Sequence, residues 1–344
     1  MMMLSVEFRI EHLKELEKNI AAPIITYVTS DRSGLATQIA NDAVRIINRH
    51  LEAVGKQKEI DLFLYTAGGM LMAPVRLVHL FREYCDTFKV LVPHRALSAG
   101  SLLCLGADEI IMGKLAELSP VDPSTANAFN PQDPLNPPRR IPISVEDVRA
   151  YLKLAKEQAG LESEDKMLEV FRSLSSQINT IALGNVHRVY SEIRSLVENL
   201  LSIHMTSEEE KLKIPDIVKA LTERYTHDYP ICRAEAEKLG LKVKRPSEDL
   251  ERSIMNLFGD YQKDLKLEEP FNPDTLLREQ DTYDFRFETA FIESDVRSDA
   301  FIQEGALRKQ PEAPPPMSPI PGMQFPPIRP VMVTFTSQKW EQIR

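Results

Sequence analysis

Leu62-Phe63-Leu64-Tyr65-Thr66-Ala67-Gly68-Gly69 is an apolar run that ends on two of the chain's 13 glycines. Such a run reads as a short buried strand, Asp61 to Tyr65, turning sharply into a helix. The helix carries Pro74 in its first turn and Leu77, Val78, Phe81 and Tyr84 on one face. Upstream, Ala22 to Thr29 reads as a strand. After it Ala36, Ile39, Ala40, Ala43, Val44, Ile47, Leu51 and Val54 recur at the helical period, with Gly55 as a stop. Downstream, Lys89 to Pro93 reads as a third strand. A short apolar helix then runs to about Leu105, and Ala107 to Met112 makes a fourth strand. Alternation of this kind predicts an α/β fold, a mostly parallel sheet with helices packed on it.

The second half is less regular. Ser124 to Pro142, rich in Pro and Asn, reads as a loop. Ser144 with Asp147 resembles a capping box and opens a helix to about Ala159. Val186, Val189, Tyr190, Ile193, Leu196, Val197, Leu200 and Leu201 mark a strongly amphipathic helix, Asn185 to His204. His204 stands at its end, where a cation favours the dipole. Glu208 to Lys213 reads as a solvated turn or helix end. Asp284 to Phe291 and Ala300 to Ile302 alternate as a β-hairpin would. Gln310 to Pro330 holds nine prolines and reads as an extended arm, with Val331 to Phe335 as a last strand free to dock on a neighbouring subunit. The expected division is residues 1–266 as the main domain, 267–309 as an extension with the hairpin, and 310–344 as the Pro-rich arm and terminal strand.

Composition narrows the function classes. The 344 residues hold 42 basic and 51 acidic side chains, a net charge of −9, which argues against a nucleic-acid or acidic-membrane binder. No apolar run approaches the ~18 residues that span a bilayer. Three cysteines, Cys85, Cys104 and Cys232, lack metal-site spacing and are too few for a disulfide scaffold. The expectation is a cytoplasmic protein with no metal and no cofactor.

Chemistry concentrates at two turns. Gly68-Gly69 bares backbone N–H groups, and Arg95-Ala96-Leu97-Ser98-Ala99-Gly100-Ser101 places a serine where a strand enters a helix. Taken singly, each has an ordinary explanation, a tight turn and an N-cap. On adjacent parallel strands they face one another at the sheet's carboxyl edge, where ligands of open α/β sheets bind. An acyl carbonyl between them would meet Ser98 and two backbone donors.

These residues resemble the Clp protease and crotonase superfamily. Gly68-Gly69 after a strand is similar to the oxyanion-hole glycines of the Clp proteolytic subunit, and Ala96-Leu97-Ser98-Ala99-Gly100 to its nucleophile motif and to the Ala-Ser-Ala-Gly form of NfeD-type peptidases. Asp228-Tyr229-Pro230 through Lys238-Leu239-Gly240-Leu241 resembles a Clp and signal peptide peptidase A segment. Leu118-Ser119-Pro120-Val121-Asp122-Pro123 resembles a run of the serine dehydrogenase proteinase family, as does His227-Asp228-Tyr229-Pro230. The likeness covers roughly residues 20 to 245. It implies a spiral of β-α-β units and a serine peptidase, with Ser98 as nucleophile and the amides of Gly69, beside Gly68, and Ala99 as oxyanion hole.

The likeness breaks at the base. The Clp histidine falls near Asp122, and no histidine lies between His94 and His187. Asp228 matches the Clp aspartate. Relatives with a lysine base take it from the region after the Asp-Pro run, which makes Lys153 and Lys156 candidates. Lys156 lies nearer the apolar face of Leu152, Ala155 and Ala159, where partial burial would lower its pKa. His227 with Asp228 is the other candidate pair. The resemblance implies an ATP-independent homo-oligomer acting on peptides or unfolded protein, assembled through the Asn185–His204 helix and the arm. The alternatives are a crotonase-like enzyme on a coenzyme A thioester and a non-catalytic assembly module of the same fold.

Overall fold

Alternate side chains of the strand Ile24–Thr29 (β1) leave on opposite faces. Ile25 and Tyr27 enter one apolar core, Ile24 and Val28 another. The strand is therefore buried on both sides, which is why it is mostly apolar, and its two buried threonines, Thr26 and Thr29, have hydrogen-bonded hydroxyls. The computed structural model describes residues 2–121, 124–125, 127–134, 136–224, 229–311 and 329–344.

The chain opens with helix α1 (Met2–Ile20), whose Val6, Ile10, Leu13 and Leu16 pack under the sheet. After β1 come α2 (Asp42–Val54), β2 (Gln57–Tyr65), α3 (Met72–Tyr84), β3 (Cys85–Val92), β4 (Arg95–Ala96), α4 (Ala99–Leu105), β5 (Glu109–Met112) and β6 (Glu117–Leu118). Helix α2 starts six residues later than its periodicity suggests. Ile39 is held instead as extended backbone beside Gly69.

The region read as a loop forms short pairings: β7 (Ser124–Thr125) with β10 (Ile143–Ser144), and β8 (Gln132–Asp133) with β9 (Asn136–Arg140). Ser144 caps α5 (Val145–Lys153) by accepting from the Asp147 amide, and one π-helical turn, Leu154–Gln158, follows. Next are α6 (Glu164–Gln177), α7 (Thr180–His204) and α8 (Glu208–Lys219). The charged run Glu208 to Lys213 is thus the start of a helix, and Ser207 and Glu210 cap each other there. The apolar stripe of α7 is spent within the chain: Ile193, Val197, Leu200 and Leu201 lie in the core beside α4.

After β11 (Ile231–Cys232), α9 (Arg233–Leu239), β12 (Val243–Lys244), α10 (Glu248–Leu265) and α11 (Pro273–Leu277) comes the hairpin β13 (Thr282–Ser294) and β14 (Arg297–Lys309). The last strand, β15 (Val331–Gln342), pairs antiparallel with β14 of its own chain over nearly its full length, so it does not need a neighbouring subunit to seat it. Twelve residues of alternating side chains match the otherwise open edge of β14.

Eight of these strands form one sheet in the order β12-β5-β3-β2-β1-β13-β14-β15, and β11, β6 and β4 form a separate three-stranded sheet. From β12 to β1 the larger sheet is parallel, and the hairpin and β15 extend it antiparallel. Helices α2, α3, α4, α7 and α8 cover one face, and α1 and α10 the other. Among the described residues no helix is long and apolar enough to cross a membrane.

Candidate active site

Parallel strands end together, so the turns after β1, β2 and β3 gather at one sheet edge, and the chain leaving β3 runs on through β4, which a parallel bridge between Thr66 and Ala96 ties to the β2 exit. Thr66 begins this site. Its amide donates to the Arg95 carbonyl (2.9 Å) and its carbonyl accepts from the Leu97 amide (3.0 Å), which lays the β2 exit alongside the β4 exit. The buried Thr66 hydroxyl accepts from Thr29 Oγ1 (2.8 Å) and from the Gly68 amide (3.0 Å). The Gly-Gly turn is thereby tied to β1 as well as β2.

Gly68 has φ +115°, a conformation side chains rarely adopt, and a Cβ there would stand 2.9 Å from Ser98 Cβ. The two turns are thus in contact, as their placement on adjacent strands predicts. Gly69 is required for a different reason. A Cβ on it would lie 2.1 Å from the Ile39 carbonyl oxygen, because residue 39 pairs with the turn: Ile39 N donates to Gly68 O (2.9 Å) and Met70 N to Ile39 O (2.8 Å).

Ser98 sits at φ +50°, ψ −108° at the start of α4. A non-glycine residue there is strained by about 1–3 kcal/mol, and a sharp strand-to-helix turn of this kind holds a nucleophile's hydroxyl forward. The strain is held in place by three contacts. Ser98 N donates to Ser119 Oγ (2.8 Å), Ser119 N to Ser101 Oγ (2.9 Å), and Ser101 Oγ to Ala96 O (2.8 Å). Gly100 fits because a Cβ there would meet Thr66 Cγ2 at 2.5 Å. Ser98 is half-buried. Among the described residues, the Ser98 hydroxyl has no hydrogen-bond partner, and the amides of Gly69 and Ala99 have no acceptor. A nucleophile position and two unspent donors thus lie at one edge, an arrangement suited to acyl transfer.

Over residues 3–133 the chain matches the family of ClpP-like SDH-type serine proteinases. That match bears out the family read from the sequence, and with the parallel sheet it gives a Clp-like α/β fold. It contains Gly68, Gly69, Ser98, Ala99 and Ser119, and ends before the candidate bases Lys153, Lys156, His227 and Asp228. Two proteins of Methanocaldococcus jannaschii are similar. Uncharacterized protein MJ0137 is 28% identical over 257 residues, 73% of this chain and 78% of its own. Uncharacterized protein MJ1495 is 25% identical over 236 residues, 67% of this chain and 64% of its own. Among solved structures, a serine-to-alanine mutant of the membrane-bound stomatin-specific protease 1510-N is 16% identical, with a TM-score of 0.34 over 63% of this chain and 79% of that one.

Lys153 and Lys156 are both exposed, so the partial burial expected of Lys156 is not seen: the π-helical turn points Ala155 inward and leaves its neighbours in solvent. Lys153 borders a groove with Lys213, Asp216, Lys219 and Glu223. His227 and Asp228 lie outside the described residues, as does Asp122. His94, near in sequence, packs its ring against Tyr65 and Phe258, on the α10 face. Burial, with Arg95 beside it, pushes its pKa down. His204 ends α7 as expected. It lies partly buried with Nε2 donating to Leu105 O (3.0 Å), and burial lowers its pKa. Sequence reasoning missed Ser119, Thr66 and Ile39 as supports of the site. Ser119 was within reach, since it stands in the Leu118–Pro123 run that carries the family likeness.

Proposed function

We propose that the chain is a serine peptidase. Ser98 Oγ attacks the peptide carbonyl, its proton passes to a base, and the tetrahedral oxyanion is received by the amides of Gly69 and Ala99. Collapse expels the amine and leaves an acyl group on Ser98, which water then removes. The observation that carries this reading is the contact between the Gly68-Gly69 turn and Ser98 in its strained φ +50° conformation. The base is a lysine, Lys156 or Lys153, with His227 and Asp228 as the other pair. The reaction needs no ATP, takes extended or unfolded peptides in the cytoplasm, and runs in a homo-oligomer. Phe171 and Leu168 on α6, 51% and 46% exposed, support a subunit contact.

The test is intact-protein mass spectrometry after fluorophosphonate treatment of wild type and Ser98→Ala. One adduct on wild type, absent from the variant, is the expected result. A folded wild type that takes no adduct would sink the peptidase and favour the non-catalytic module, a reading helped by the unpartnered Ser98 hydroxyl.

A further inference from the structure

The Gly68-Gly69 turn is held on its outer side by the extended segment around Ile39, and that segment has few anchors of its own. It leaves β1 through Ser30 and enters α2 only at Asp42. Its fixed point is Thr37. The Thr37 amide donates to Ser30 O (2.8 Å), and its hydroxyl donates to Thr289 Oγ1 (2.7 Å). Gln303 Nε2 donates to Thr37 Oγ1 (3.3 Å), and Thr289 Oγ1 donates to Phe301 O (3.4 Å). Thr37, Thr289 and Gln303 are 9%, 2% and 5% exposed, so water does not compete for these bonds.

The direction of this chain is set by its ends. It begins on a carboxamide NH₂, which only donates, and ends on a backbone carbonyl, which only accepts. Each hydroxyl between takes one bond and gives one. A β-bulge places Thr289 there: the β13–β14 register shifts between Glu288 and Ala290, and the freed Thr289 carbonyl accepts from Ser30 N (2.8 Å). Thr289 and Gln303 belong to the C-terminal hairpin, far outside the 3–133 segment that matches the peptidase family.

We infer that Gln303, Thr37 and Thr289 form a positioning network through which the C-terminal hairpin sets the oxyanion-side turn, an inference that rests on the peptidase reading. The path is short. Thr37 fixes residue 39, residue 39 bonds Gly68 and Met70 on either side of Gly69, and Gly69 offers its amide to the oxyanion. None of the three side chains touches substrate. Their effect is on where one donor stands, so it is felt in the transition state and not in ground-state binding.

The test compares wild type with Thr37→Val, Thr37→Ser and Gln303→Leu in two measurements. The first is fluorophosphonate reaction at Ser98, resolved into a maximal rate and a half-saturating concentration. Thr37→Val is expected to lower the maximal rate about tenfold at unchanged half-saturation, less than the ~10²–10³ for deleting a donor. Thr37→Ser restores the rate, and Gln303→Leu gives a smaller loss of about threefold. The second is amide hydrogen exchange of Ile39 and Met70, which is expected to quicken in Thr37→Val and Gln303→Leu but not in Thr37→Ser. If Thr37→Val fails to fold, Gln303→Leu carries the test. Unchanged exchange at the turn, or faster exchange with an unchanged rate at Ser98, overturns the inference. If wild type takes no adduct, the peptidase reading falls and the positioning role falls with it, while exchange still decides whether the hairpin holds the turn.

Discussion

Gly69→Ala probes the site at its tightest point. The added Cβ would stand 2.1 Å from Ile39 O, 2.5 Å from Ile39 N and 2.8 Å from Ile39 C, all backbone atoms with no rotamer to escape into. Reaching ordinary contact means opening the two chains by about 1 Å. The Ile39 N–Gly68 O and Met70 N–Ile39 O bonds, now 2.9 and 2.8 Å, would then approach ~4 Å and cease to be hydrogen bonds. Losing two buried bonds and leaving their groups unpaired costs about 2–4 kcal/mol. The Gly69 amide moves by the same ~1 Å, a misplacement that costs on the order of 10²-fold in rate. Denaturant unfolding measures the first quantity and fluorophosphonate adduct formation at Ser98 the second. A Gly69→Ala protein with the wild-type midpoint and adduct rate would show that residue 39 does not clamp the turn and that this amide is not a donor in the reaction.

Three further outcomes are expected. Ser98→Gly abolishes the adduct yet raises stability by about 1 kcal/mol, since glycine relieves φ +50° at a small entropic cost; equal or lower stability in thermal unfolding would mean the turn stores no strain. Asp61 is buried with both carboxylate oxygens unpartnered among the described residues, near Glu59, Lys89, Glu109 and Lys244, and burial pushes its pKa up from 3.8 to about 7. The folded chain therefore keeps a proton that the unfolded chain releases between about pH 4 and 7, so stability falls with rising pH through that window and levels off above it. Asp61→Asn should remove that part of the slope, and parallel wild-type and variant curves of unfolding free energy against pH would contradict the assignment. Arg9, 1% exposed, donates to both Glu293 oxygens (2.9 and 2.8 Å), pairs with Asp264 and lies 4.2 Å over the Phe291 ring. Arg9→Met strands a buried carboxylate and should cost about 3–5 kcal/mol, with partial recovery on adding Glu293→Gln; urea titration of both variants checks it.

Much of the architecture is legible locally. From Ala22 to Met112, apolar runs of strand length alternate with helical periods because both faces of this sheet are covered and each helix buries one stripe. The hairpin is legible in part, since Asp284 to Phe287 alternates at period two, whereas only Ala300 to Ile302 of the thirteen-residue β14 stands out as strand-like. Helix α1 is less visible: its Val6, Ile10, Leu13 and Leu16 are spaced for burial, but charged residues between them mask the stripe until α10 and the sheet are there to receive it. The segment 36–40 reads as helix because its side chains have that period, yet its backbone pairs with the Gly-Gly turn. Periodicity reports burial, and an extended segment lying on a core is buried too.

The candidate site divides the same way. Gly68, Gly69 and Ser98 are marked by local chemistry, a glycine pair after a strand and a serine at a helix start, so the sequence by itself determines which two turns make up the candidate site. The exposure of Lys156, the partial burial of His204 and the partner of the last strand are tertiary quantities, decided by which surfaces the rest of the chain covers. So are the supports of the site. Ser119 under Ser98, Ile39 along Gly69, and Thr289 and Gln303 behind Thr37 arrive from separations of 21 to 266 residues. No period or motif announces such partners, because a hydrogen bond between distant residues depends on the relative placement of whole strands.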